Sequence, residues 1–273
     1  MAGAALPAPS WVASARAQAA RAALAPRTPL LVGGEVVGSV DSDLISKKGL
    51  QRLLDESCKL LQVEHRGAAA WVLQGDETTA ALNALARALR AADCCGPWRD
   101  EQLAVCNARG QRIGTIERGA VRVLGLFTQA VHLVGATACG CLWVQQRSLA
   151  KPNNPGMWDT LMGGMVSAAD TVPEALARET WEEAGLHLDA LQPVAHGGHI
   201  DFARPSREAG GTGYMVERID WFHATVPDTL VPVNQDGEVE RFERWPDAVV
   251  QARLAQGEFT AEAALVLAGY YGW

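Results

Sequence analysis

GGMVSAADTVPEALARETWEEAGL, running from Gly163 to Leu186, carries the punctuation of a helix and a charge pattern that needs explaining. Thr171 and Glu174 are spaced as a capping box, with Pro173 tolerated in the first turn. Gly185 stands where a helix ends in the left-handed conformation, followed by the apolar Leu186. Leu176, Thr180 and Ala184, at i, i+4 and i+8, form one side that packs on a sheet. Glu179, Glu182 and Glu183 leave the same turn elsewhere, and like charges at that spacing repel one another. Either the glutamates face solvent or something positive sits among them.

The spacing favours the second reading. From Gly164, five residues pass before Asp170, and seven more before Arg178-Glu179. The whole reads Gly-x5-Asp-x7-Arg-Glu-Thr-x-Glu-Glu-x-Gly-Leu. This closely resembles the Nudix box, with two departures: Asp170 stands for the usual first Glu, and Thr180 for an apolar residue. The resemblance implies a Nudix α/β/α sandwich that hydrolyses a diphosphate linked to another moiety. It implies Mg²⁺, with Mn²⁺ as a substitute, held by Glu179, Glu182 and Glu183. Hard divalent cations of this kind take carboxylate, water and phosphate oxygens. They polarise a phosphoryl group and lower the pKa of a bound water. By motif position, Glu182, Glu183 and Arg178 are the catalytic candidates, Arg178 bracing a glutamate. Glu238 in DGEVERFERW is the downstream acid, with Glu240 next in line on the same face of a strand.

Composition bounds the alternatives. The chain has 273 residues, is 48% hydrophobic and 20% charged, and has a net charge of −7. An acidic balance argues against sequence-independent nucleic-acid binding. No run of 18 apolar residues is present, so no membrane-spanning helix is expected. The six cysteines lack zinc-ribbon or disulfide-scaffold spacing and read as reduced thiols of a cytoplasmic protein.

The rest of the chain reads as two parts. Residues 1–28 form a helical N-terminal extension; SWVASARAQAARAAL imitates a transit peptide in composition, and its plainer reading is an amphipathic helix capped by Ser10. A small α+β N-terminal domain runs to Arg118. It begins with a hairpin, Pro29 to Val40, around Gly33-Gly34. A helix over LISKKGLQRLLDESCKLL, a strand at Ala69 to Leu73, a Thr-capped helix from Thr78 to Asp93 and a second strand pair follow. The Nudix domain spans residues 119–273. Within it, KPNNPGMWD is a loop, and PVAHGGHIDFARPSREAGGTGYMVERIDWFHATV reads as two strands joined by a long charged loop of the lid-forming kind.

Stretches outside the box narrow the resemblance. GPWRDEQLAV, IERGAVRVLGLFTQAVHLVG, QQRSLAKPNNPGMWDTLMGG and NQDGEVERFE resemble the Nudix branch with an N-terminal domain of undefined function. That branch includes the Nudix part of fungal thiamine pyrophosphokinases and plant plastid Nudix hydrolases. The resemblance implies cleavage of thiamine diphosphate-like or damaged-thiamine substrates to the monophosphate and phosphate. Expected substrate contacts are Arg147 and Lys151 on phosphate, Trp98 or Trp158 stacked on a heteroaromatic ring, and Arg99, Gly163 and Gly164 close by. Nucleotide clean-up, as of an 8-oxo-dGDP, is the enzymatic rival, and a non-catalytic ligand-binding module the other. Isopentenyl diphosphate isomerase shares a PG-x-W loop, but Met162 and approximately Met165 stand where it needs a cysteine and a histidine. His196 and His199 have no metal spacing and receive no role. The expected partner is a small-molecule diphosphate, and no oligomeric state is implied.

Overall fold

The computed structural model describes residues 8–54 and 58–273. The first element, α1 (Ser10–Ala19), has Pro9 at its N-cap position and no side-chain cap, so Ser10 is its first residue rather than its cap. The start of the expected extension, residues 1–7, lies outside the described residues. This helix packs on the C-terminal half: Ala19 is buried in that half's core, Trp11 meets Trp273 edge-on at 6.1 Å, and Ala20 bridges to Ala203.

The hairpin expected around Gly33-Gly34 is present as β1 (Arg27–Val32) and β2 (Glu35–Asp41), with both glycines at positive φ. A single helix over LISKKGLQRLLDESCKLL is not. Gly49, at φ 61°, ends α2 (Leu44–Lys48), and a short 3₁₀ turn, Leu50–Arg52, follows. From Cys58 the chain is extended as β3 (Cys58–His65), burying Cys58 and Leu60 at alternate positions. Residues 55–57 of the stretch lie outside the described residues. Its apolar spacing suits period two as well as a helix, and Gly49 supplies the break.

With β4 (Ala68–Gly75), these strands form a four-stranded sheet in the order β2-β1-β4-β3, in which β1 and β4 run parallel with Leu30 opposite Trp71. The next helix, α3 (Thr78–Ala91), is capped by Glu77 rather than Thr78: the carboxylate accepts from Thr79 N at 2.9 Å and Ala80 N at 2.6 Å. A two-stranded ribbon, β5 (Gln102–Cys106) and β6 (Arg112–Glu117), lies against α3. This core draws on Leu30, Trp71, Leu82, Leu85 and Ile116, and continues through Leu124 and Leu126.

The second half is built on β7 (Phe127–Ala136), β8 (Leu142–Arg147), β9 (Trp158–Asp159), β10 (Met162–Met165), α4 (Val172–Ala184), β11 (Val194–Ser206), α5 (Glu208–Gly211), β12 (Gly213–Thr225), β13 (Val239–Trp245), α6 (Asp247–Ala255) and α7 (Ala261–Tyr270). The main sheet runs β11-β12-β7-β8-β13, with β10 on β7 and β9 on β8. Alternate residues of β7 serve opposite faces. Val131 and Leu133 pack with Leu176 and Ala184 of α4. Ala130 and Val134 pack with Ala263, Val266 and Leu267 of α7. The result is the expected α/β/α sandwich.

One feature of this sheet positions the site. β7 pairs with β8 only at Gly135 and Ala136. Beyond that point β10 takes the place beside β7, from Met162 opposite Leu133 to Met165 opposite Ala130. The sheet therefore parts, and the Gly163-Gly164 backbone lies under α4.

The long loop expected between the next two strands is absent. β11 and β12 are 13 residues each, joined by residues 207–212. The charges that suggest a loop lie on the ribbon itself, where Arg218 Nε bonds Asp201 Oδ1 at 2.8 Å across the strands. The far end of this ribbon meets β1 and the turn before β7: Tyr214 N donates to Arg122 O at 2.7 Å, and Arg27 Nη1 to Thr212 O at 2.6 Å.

Candidate active site

The helix α4 is capped as its sequence predicts. Thr171 Oγ1 accepts from Glu174 N, and Glu174 Oε2 accepts from Thr171 N at 2.8 Å. Gly185 ends the helix at φ 63°. Leu176, Thr180 and Ala184 are buried, and Thr180 meets its hydroxyl's need by donating to Leu176 O at 2.6 Å. That bond explains how a polar residue occupies the apolar place.

The packing of this face turns Glu179 and Glu183 inward, onto a cavity of about 760 Å³. Glu183 is 2% exposed. Its Oε2 accepts from Gln145 Nε2 at 2.7 Å and Gly163 N at 3.0 Å, and Lys151 Nζ lies 3.9 Å from Oε1. Burial pushes the Glu183 carboxyl up to about 8, against the pull of Lys151, the Gly163 N–H and Gln145. Burial likewise pushes Glu179 up to about 7, with Arg178 opposing.

Arg178 is the positive group among the charges. Its Nε bonds Asp170 Oδ2 at 2.8 Å, and its Nη1 bonds Glu179 at 2.9 Å and Glu182 at 2.8 Å. The shorter Asp170 thus reaches Arg178, and also accepts from Ser167 Oγ at 3.0 Å. Drawn toward Arg178, Glu182 stands 41% exposed and does not line the cavity, unlike Glu179 and Glu183. Among the described residues, no three His, Cys, Asp or Glu side chains gather closely enough to enclose a metal ion. The expected three-glutamate cluster is therefore split, two inside and one at the rim.

Other expected site residues divide in the same way. Arg147, Lys151, Gly163, Gly164, Arg99 and Glu238 all line the cavity. Lys151 pairs with Glu238; burial would raise the Glu238 carboxyl, but Lys151 outweighs it and the net shift is downward. Glu238 precedes β13, and a bulge between Val239 and Arg241 places the exposed Glu240 outside the cavity.

Neither tryptophan faces the cavity. Trp158 is 4% exposed and packs in the core, with its ring 4.3 Å from that of Trp245. Its neighbour Asp159 takes the cavity side, because successive residues of a strand point to opposite faces. Trp98 lies against the N-terminal core, under the Arg90 guanidinium at 4.5 Å, with its Nε1 bonded to Asp100 at 2.8 Å.

Several cavity residues were not among those expected. His132 Nδ1 lies 2.9 Å from Thr160 Oγ1 and 3.5 Å from Asp159 Oδ1. Arg122 Nη2 bonds Glu217 Oε2 at 2.7 Å, and Arg204 pairs with Glu262. Arg118 reaches the cavity from the N-terminal half, and Glu208 from the ribbon end. Arg118 stands within the quoted stretch IERGAVRVLGLF, so proximity to Arg99 across the β5–β6 ribbon was the available signal.

Known proteins resemble this chain over the same region. The family model for the NUDIX domain matches residues 126–264. Nudix hydrolase 24, chloroplastic, from Arabidopsis thaliana is 32% identical over 139 residues, 50% of this chain and 37% of that protein. Nudix hydrolase 20, chloroplastic, from the same plant is 29% identical over 159 residues, 56% of this chain and 41% of that one. The chain thus matches about two fifths of the length of these relatives. The crystal structure of DR0079 from Deinococcus radiodurans superposes with a TM-score of 0.50 at 25% identity, covering 62% of this chain and 99% of that one. Box, sandwich and family match coincide on the same residues, and the chain belongs to the Nudix family.

Proposed function

We propose that this protein is a Nudix pyrophosphohydrolase that cleaves an organic diphosphate to the monophosphate and phosphate. The observation that carries the reading is the pair Glu179 and Glu183, one turn apart with side chains 13% and 2% exposed, on a cavity that also holds Arg147 and Lys151. The donors suit a hard divalent cation, Mg²⁺ or Mn²⁺. They are all oxygen, and their raised pKa values mark carboxylates with too little positive charge nearby to offset burial. Gly164 adds a second fit: a Cβ there would stand 2.1 Å from the Glu179 carboxylate carbon, so the glycine keeps room for that side chain. Glu179 and Glu183, with Glu182 at the rim, would hold the cation. When bound, it would supply charge neutralisation for the phosphates and activation of the attacking water.

The chain's own groups do the rest. Lys151 and Arg147 hold the phosphate oxygens and offset their charge. Glu238, kept ionised by Lys151, accepts a hydrogen bond from water and orients it. Water adds to one phosphorus, the bridging oxygen leaves on the other phosphate, and the proton passes to the carboxylate. Asp170, Glu179 and Glu182 fix Arg178, which in turn holds the helix against the Met165 carbonyl at 3.3 Å.

For the organic moiety we favour thiamine diphosphate-like or damaged-thiamine compounds. The support is the sequence resemblance outside the box, together with the Glu208 carboxylate on the cavity, a partner for an amine or a cationic ring. A reducing compartment such as the cytoplasm suits Cys94, Cys95, Cys106, Cys139 and Cys141, all of which are thiols. No helix among the described residues is long and apolar enough to cross a membrane.

A panel of thiamine-analogue, nucleoside and sugar diphosphates with Mg²⁺ or Mn²⁺ tests the proposal. Turnover of at least one diphosphate, abolished in Glu183→Gln, is the expected result. No turnover with any metal defeats the hydrolase reading. A preference for oxidised guanosine diphosphates by orders of magnitude defeats the thiamine reading alone.

A further inference from the structure

We infer that the N-terminal domain completes the active site: Arg99 and Arg118 bind the phosphate of the substrate that lies farther from the glutamate helix, and buried Glu117 positions both. The inference rests on the diphosphate reading above and assigns work to a domain that the Nudix box does not include.

Both arginines line the same cavity as Glu179 and Glu183. The Arg99 side chain is exposed and makes no ion pair among the described residues, so its guanidinium is available to an anion. Arg118 uses Nη1 on Glu101 at 2.7 Å, leaving its other donors for a ligand. Arg118 lines the cavity together with Glu179, Glu183 and Glu238; burial alone would lower its pKa, and the carboxylates of Glu101, Glu179 and Glu238 outweigh it and raise it. A guanidinium matches phosphate oxygens in a planar fork, which makes arginine the stronger phosphate partner where geometry is fixed.

The two side chains share one anchor. Glu117 is fully buried at the end of β6, and its Oε1 accepts from Arg99 N at 2.8 Å and from Gly119 N at 3.2 Å. Its own N–H donates to Asn83 Oδ1 at 3.1 Å, tying the corner to α3. One carboxylate thus clamps Gly119, the residue after Arg118, and Arg99, the residue bearing the free guanidinium. The placement is costly, since Glu117 Oε2 is buried with no hydrogen-bond partner among the described residues. Such a cost is explained if the corner must hold its arginines in place for a ligand.

Titration with methylenediphosphonate, a non-hydrolysable diphosphate, and steady-state kinetics on the best panel substrate test the inference in the full chain. Arg99→Ala, at an exposed position, and Arg118→Lys, which keeps the pair with Glu101, are the variants. Each is expected to weaken methylenediphosphonate binding and raise KM by about tenfold, with kcat within about threefold. Glu117→Gln, which keeps the Oε1 acceptor, is expected to stay near wild-type KM, and Glu117→Leu to raise it with kcat retained. Binding and KM within twofold of wild type in both arginine variants overturn the inference, while wild-type turnover leaves the hydrolase reading intact. Wild type that binds methylenediphosphonate through the arginines yet cleaves no diphosphate upholds the inference and defeats the hydrolase reading. Wild type that does neither overturns both.

Discussion

Gly164 and Glu179 are in mutual contact so close that only a glycine permits it: a Cβ on Gly164 would fall 2.1 Å from the carboxylate carbon of Glu179. Gly164 is held in β10 opposite Val131, and Glu179 is held by Arg178, so neither can step aside without breaking a neighbour's bonds. Gly164→Ala is therefore expected to push Glu179 off the cavity wall. Because the displaced group is the end of a flexible side chain, the stability cost is small, about 1 kcal/mol. Thermal unfolding should register that loss, and diphosphate turnover should fall by about tenfold or more. Wild-type turnover in a folded Gly164→Ala protein would disprove the contact's importance.

Glu183 predicts a conflict between stability and function. Its folded pKa of about 8 exceeds the unfolded value of about 4.3. Between those values the folded state holds the extra proton, so its stability falls as pH rises through the window. The metal-free protein should melt lower at pH 8 than at pH 6. Glu183→Gln should flatten that slope and melt higher at pH 8, yet lose turnover by about a hundredfold or more. Added Mg²⁺ should raise the melting temperature of wild type more than that of the variant.

Glu217 predicts the opposite dependence. Burial would raise its pKa, but Arg122 and the Thr128 hydroxyl outweigh burial and the net shift is downward. A lowered carboxyl stabilises the fold above its unfolded pKa of about 4.3 and loses that contribution as pH falls through the folded value. Glu217→Gln leaves Arg122 buried without its countercharge, at a cost of about 3–5 kcal/mol near neutrality. Denaturant unfolding at pH 7 and below pH 4 should show the gap between variant and wild type narrowing in acid.

Trp158 separates packing from recognition. Trp158→Phe should lower stability by about 1–3 kcal/mol, because it trims a buried ring beside Trp245. KM for the diphosphate should stay within twofold of wild type. A KM rise above tenfold with unchanged stability would show that the ring contacts substrate after all.

How much of this was legible before the structure depends on distance along the chain. The caps of α4, its buried face and the Arg178 brace all follow from residues within one box, because capping and i,i+4 geometry are local. Asp170 belongs with them, since it sits just before the helix and reaches Arg178 eight residues on. The split of the glutamates is less local: Glu182 and Glu183 are adjacent, and only the sheet beneath α4 decides which of them turns inward. Trp158 and Asp159 show the same limit, for the motif names both while the strand's alternation sends one to the core and one to the cavity. Arg118, Arg122, Arg204 and Glu217 come from three segments that meet only through topology. The β11–β12 ribbon misled for a physical reason, since cross-strand ion pairs let charged residues occupy a strand that their composition assigns to a loop.

The length of that ribbon has one more consequence. Because the end of the ribbon is bonded at Thr212 to Arg27 and at Tyr214 to Arg122, while β12 pairs with β7 and β7 with β10, the arginine side and the glutamate side of the cavity are tied to one ribbon. The gap between them works as a caliper, set by strand geometry rather than by a hinge. An inserted or deleted residue pair in the ribbon would reset its jaws, and with them the length of molecule the protein can grip.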